Sequence, residues 1–202
     1  MGRNLNKVFW GMLIVFIDIN LGVMNILPNF IGYLIIVSGL KDLSREEFKC
    51  ADGSMHPCSE AQEAFKIGIL PGQIMAGVTF VLFILAPYSS GLTATPIFLI
   101  EMATSVSVIG EIVVIYSILK GINKDCLSRN WSEKANSAYN RWHVYLVVTI
   151  AAIVYSAYNI NFYYNSDFNK VLLFSIYGIN FLVRIYLLTL VKGTSNAIKY
   201  NG

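Results

Sequence analysis

From Val8 to Leu40 the chain runs 33 residues with almost no charge, and basic residues stand at both ends, Lys7 before and Lys41 after. A single helix of that length would span ~50 Å, whereas the hydrocarbon core of a bilayer is ~30 Å thick. Lysine and arginine gather on the cytoplasmic side of a membrane. Two basic flanks therefore require the run to cross and come back. The stretch N-I-L-P-N, Asn25 to Asn29, offers the turn. Pro28 has no N–H, suits the first turn of a new helix and pushes Leu27 away from helical dihedrals. A re-entrant loop is the alternative, but it would leave an odd number of crossings and spoil the charge pattern described next.

The same blocked pattern continues to the end of the chain. Apolar runs at Val8–Met24, Phe30–Leu40, Ile67–Ala86, Pro96–Leu119, Val144–Tyr158 and Val171–Val191 alternate with short polar stretches. Charged residues make up 13% of the chain, about half the ~25% of a soluble domain. The expectation is one all-α domain, 1–202, a polytopic transmembrane helical bundle. Its six spans lie near 8–24, 28–42, 67–87, 96–119, 143–161 and 171–191. Arg3 and Lys7 precede the first run as in a signal peptide, but no small-residue cleavage site follows, so the first span reads as a retained helix.

Of the fifteen basic residues, thirteen fall in the termini and in the two segments Lys41–Lys66 and Lys120–Arg141. The connections at Asn25–Asn29, Pro87–Thr95 and Asn161–Lys170 hold only Lys170, and Arg184 lies inside a run. An even number of crossings with both termini cytoplasmic satisfies this distribution.

Four ionisable residues sit within the runs: Asp18, Glu101, Glu111 and Arg184. Each costs ~2.5–3.5 kcal/mol at a helix centre on insertion scales, so such groups face the bundle interior and mark function or internal pairing. Arg184 stands eight residues from Lys192 and Glu111 nine from Lys120, both ~12–13 Å from the inner border. The matching depths predict an ion pair, with Asp18 about a turn higher and Glu101 near the outer interface. Tyr177, Asn180 and Arg184 share one helical face. Glu101, Thr104, Val108 and Glu111 follow a similar stripe, as do Gly11, Asp18, Gly22 and Asn25. These residues form an expected polar seam, whose candidate ligand- or ion-binding members are Asp18, Glu101, Glu111, Tyr177, Asn180 and Arg184.

Local signals fill in the rest. Ser44 with Glu47, and Ser59 with Gln62, fit capping boxes. Trp131, Ala135, Ala138 and Trp142 make a stripe suited to a helix lying in the inner interface with tryptophans at headgroup level. Gly68, Gly72 and Ala76 form a small-xxx-small pattern, serving internal packing or, alternatively, docking of another membrane subunit. Aromatic residues from Tyr155 to Phe168 suit an outer interfacial belt or a lid.

Cys50, His56 and Cys58 share one polar segment, but a fourth metal ligand is missing and the spacing matches no standard zinc site. A catalytic Cys–His pair is the remaining chemical use. Membrane peptidases that process bacterial signalling propeptides are similar in size and carry such a pair, at a longer spacing than His56-Pro57-Cys58. No phosphate loop, metalloprotease helix or nucleophile elbow is present. No cofactor is expected, and the spread of basic residues over loops points to the lipid bilayer as partner rather than nucleic acid.

The stretch D-x-N…N-I-L-P-N-F-I-G-Y-L-I-I-V-S-G-L, Asp18 to Leu40, resembles the N-terminal signature of a group of small multispanning membrane proteins of low-GC Gram-positive bacteria. That resemblance implies a bacterial plasma membrane and carries no activity with it. Six helices in about two hundred residues are also similar to substrate-binding subunits of energy-coupling-factor transporters, although the A-x-x-x-A dock of their first helix is absent here. Two function classes stand: binding or transport of a small solute or ion through the polar seam, and an accessory or scaffolding membrane protein whose buried charges are structural. An enzyme is the weaker third.

Overall fold

The computed structural model describes residues 1–17, 20–21, 24–25, 28–46, 48–49, 55–56, 59–85, 94–161 and 167–201. Among them the chain is helical apart from two short ladders. Its elements are α1 (Gly2–Phe16), β1 (Asn20–Leu21), β2 (Met24–Asn25), α2 (Asn29–Leu43), β3 (Phe48–Lys49), β4 (Met55–His56), α3 (Ser59–Ile67), α4 (Ile69–Leu85), α5 (Ala94–Ser128), α6 (Ser132–Asn161) and α7 (Asp167–Asn201). Among the described residues three helical stretches, Glu60–Leu85, Val106–Ser128 and Phe174–Tyr200, are long and apolar enough to cross a membrane.

The helices close into a ring. α1 packs on α2, α2 on α4, α4 on α5, α5 on α6, α6 on α7, and α7 returns to α1. Both chain ends meet at one end of the bundle, where the buried Ser195 Oγ donates to the Gly2 carbonyl at 2.7 Å. At the same end the Met1 ammonium pairs with Glu46, and Asn4 Nδ2 donates to Glu46 at 2.9 Å. Gln62 Nε2 of α3 reaches the Glu46 carbonyl at 3.0 Å. The apolar core lies beneath, filled by Leu5, Met12, Ile36, Leu40, Phe65 and Ile118, all fully buried.

The first apolar run departs from expectation. Helix α1 begins at Gly2 and stops at Phe16, with Ile17 leaving helical dihedrals at φ −94° and ψ 69°. Beyond it β1 pairs antiparallel with β2, Asn20 against Asn25 and Leu21 against Met24. The chain thus reverses within 20–25, before the expected N-I-L-P-N turn. Asparagine and glycine are weak helix formers, and β-branched Ile17, Ile19 and Val23 favour extended backbone. Pro28 occupies the position just before α2, with φ −60° and ψ 123°, one place ahead of the first helical turn.

Two other local readings are corrected. Ser44 closes α2 instead of opening a helix: its N–H bonds the Leu40 carbonyl and its Oγ the Lys41 carbonyl at 2.8 Å. The Trp131–Trp142 stripe runs into the continuous helix α6, and its small residues face a neighbouring helix. Ala135 and Ala138 are fully buried, Asn123 Nδ2 of α5 bonds the Ala135 carbonyl at 2.8 Å, and Trp142 stacks near Tyr116 at 5.0 Å between ring centroids. The small side chains let α5 approach, which turns an apparent surface face into a packing face.

The small-residue stripe also packs internally. A Cβ on Gly68 would strike Ser117, and one on Gly72 would lie 2.7 Å from Val37 Cγ2; Ala76 is buried. These positions let α3 and α4 sit close to α2 and α5. Gly68 also separates α3 from α4, three residues before Pro71, whose missing N–H would otherwise interrupt a continuous helix.

Candidate functional site

The ring converges on one charged centre. Arg184 Nη2 of α7 lies 2.9 Å from Glu111 Oε1 and 3.1 Å from Oε2 of α5. The Arg184 Nε donates to Asn180 Oδ1, one turn earlier on α7, at 3.0 Å. Tyr145 of α6 donates its O–H to Glu111 Oε1 at 3.1 Å. The guanidinium carbon stands 5.0 Å from the centroid of the Phe16 ring on α1. Four of the helices thus contribute to one site.

Helical spacing accounts for the placement. Asn180 and Arg184 are four apart and share a face. Trp142, Tyr145 and Thr149 continue the buried stripe of α6 by i, i+3 and i+7, with Tyr145 2% exposed. Glu111 lies one turn before the buried pair Val114 and Ile115 on α5. A carboxylate with two donors and a guanidinium with two acceptor groups are each largely compensated, as buried ions must be.

The centre is not sealed. Side-chain exposure is 26% for Arg184 and 14% for Glu111. Arg184 also lines an open groove of about 580 Å³ between α1 and α7, with Phe16, Phe181 and Leu188 among its walls. A second groove of about 600 Å³, on α6 at Val147, Ile150, Val154 and Tyr155, is almost wholly apolar.

Of the candidate residues taken from sequence, Glu111, Arg184 and Asn180 are brought together. Tyr177 is not: although it shares a nominal face with Asn180 and Arg184, it is 59% exposed. Gly11 is a contact with α2 rather than a seam residue. Glu101 lies on α5 and Asn25 on β2, but their side chains fall outside the described residues, as do those of Thr104 and of the aromatic stretch beyond Tyr155. Asp18, Gly22, Cys50 and Cys58 lie outside them entirely, and of His56 only the backbone pairing with Phe48 is described. Tyr145 and Phe16 were not singled out from sequence, although continuing the Trp131–Ala135–Ala138–Trp142 spacing by one step reaches Tyr145.

Fold and site together define an all-α protein with membrane-compatible helices around an internal Glu–Arg centre. Comparison with protein families, with curated proteins and with solved structures finds no match to this chain.

Proposed function

We propose that the chain is a six-span protein of the bacterial plasma membrane, with both termini cytoplasmic, that binds a small solute or ion at the Glu111–Arg184 centre. The observation that carries this reading is the exposure of Arg184 to the α1–α7 groove while it remains paired to Glu111. A charge held only for structure is best enclosed, whereas this one can be reached. An anion entering the groove would compete with Glu111 for the guanidinium.

The test is a thermal-shift screen of the purified protein against small anions and cations. A ligand that raises the melting temperature of the wild type and not of Arg184→Gln supports the reading; a screen in which no ligand separates them removes it.

The second reading, an accessory or scaffolding protein with structural charges, is favoured by one feature. Glu111 and Arg184 also hold Tyr145 and Asn180 in one hydrogen-bonded network. On that reading the double variant Glu111→Gln with Arg184→Met keeps whatever function the cell requires.

A further inference from the structure

We propose that the groove between α1 and α7 holds one chain of an anionic phospholipid, with its headgroup phosphate on Lys192. The groove, about 580 Å³, is walled by Phe9, Leu13 and Phe16 from α1 and by Phe181, Ile185 and Leu188 from α7. Its two charged points are Arg184 and Lys192, eight residues and ~12 Å apart along the helix. Arg184 is neutralised by Glu111. Lys192 is not neutralised: among the described residues its Nζ meets the uncharged Asn6 Oδ1 at 2.7 Å and stands 4.9 Å from the Phe9 ring centroid. An ammonium has three donors, so one amide acceptor leaves it with charge and hydrogen-bonding capacity to spare. Asn196 lines the same end. Beside it Gly193 leaves the groove open, since a Cβ there would meet nothing within 4 Å.

The occupant follows from this shape and charge. An apolar trough parallel to two helices and open to the bilayer takes up an acyl chain. A cation at the border of the apolar zone then selects an anionic headgroup. A water-soluble phosphate would gain nothing from the six apolar walls, and a partner helix would bury the Lys192 charge uncompensated. The inference rests on the membrane reading above and does not need solute binding; an acyl chain and a solute would contend for the same groove.

The test is native mass spectrometry of the protein released from nanodiscs of equal phosphatidylglycerol and phosphatidylcholine with identical chains. The wild type is expected to retain phosphatidylglycerol about fivefold over phosphatidylcholine, the preference conferred by one basic residue near the surface. Lys192→Gln should bring the ratio near one, Gly193→Phe should lower retention of both lipids, and Lys199→Gln should leave the ratio as it was. Equal retention by the wild type overturns the proposal whatever the variants do, and so does a preference that survives in Lys192→Gln. A chain that stays dispersed without detergent or lipid would overturn the membrane reading itself.

Discussion

Gly11 of α1 and Gly32 of α2 touch backbone to backbone. A Cβ on Gly11 would stand 2.7 Å from the Gly32 carbonyl oxygen, and one on Gly32 would stand 2.8 Å from the Gly11 carbonyl oxygen. Neither obstacle is a side chain that could swing away. Substitution must therefore push the two helices apart along the hairpin that begins the ring.

Gly32→Ala is accordingly expected to destabilise the protein by about 1–3 kcal/mol, the usual range for overpacking, even though alanine is the better helix former. Gly77 on α4 is the internal control, because a Cβ there would meet nothing within 4 Å. Gly77→Ala should stabilise by about 0.5–1 kcal/mol through helix propensity alone. Unfolding of the two variants in detergent, followed by circular dichroism, should move in opposite directions. Equal shifts would mean that the α1–α2 approach is looser than described.

The ion pair predicts a coupling. Glu111→Gln leaves Arg184 without its carboxylate, and Arg184→Met leaves Glu111 without its cation; each should cost about 1.5–3 kcal/mol, the range for hydrogen bonds to charged groups, because the pair is only partly buried. The double variant leaves no stranded charge and should recover about 1–3 kcal/mol of the summed loss. A thermal or denaturant double-mutant cycle reads that term directly, and additive losses would show that the two residues do not act together.

How much of this centre was legible in the sequence depended on what each pattern encodes. Depth is additive along a helix, so the counts from Lys120 to Glu111 and from Lys192 to Arg184 suffice to place the two charges at one level. Angular position is less secure, and Tyr177 shows why: seven residues before Arg184 it shares a nominal face, yet its ring stays outside the bundle. A stripe also says nothing about what it meets. Trp131, Ala135, Ala138 and Trp142 suit a lipid interface as well as a helix, and only the third dimension assigns them to α5. The end of α1 was hidden because hydrophobicity continues past Phe16 while helix propensity fails. The Gly11–Gly32 contact joins residues on different helices, and no local pattern pairs them.

Tyr145 tests the support of the site without altering its charge. Its ring is buried beside Trp142, with centroids 6.2 Å apart, and its O–H reaches Glu111. Tyr145→Phe keeps the ring and deletes one hydrogen bond to a carboxylate, which should cost about 1.5–3 kcal/mol. The same change in a Glu111→Gln background should cost less, since the acceptor has lost its charge. A penalty that is equal in both backgrounds, measured by thermal unfolding, would place the hydroxyl outside the network.

The turn from α5 into α6 offers a test that touches no charge at all. Asn130 has φ 59°, in the left-handed region that an L-residue enters at a cost of roughly 1–2 kcal/mol. Around it the Trp131 N–H bonds the Cys126 carbonyl at 2.8 Å and the Asn130 N–H bonds the Leu127 carbonyl at 3.1 Å, the paired closure of a Schellman helix end. The Asn130 side chain is exposed, so only its backbone is under demand. Asn130→Gly should hold or raise the melting temperature, and Asn130→Val should lower stability by about 1–2 kcal/mol because a β-branched residue fits that dihedral least. The order glycine, asparagine, valine in thermal stability is the expected result. If valine equals glycine, the turn does not depend on the left-handed residue, and the path from α5 to the buried face of α6 must be set by Ala135 and Ala138 alone.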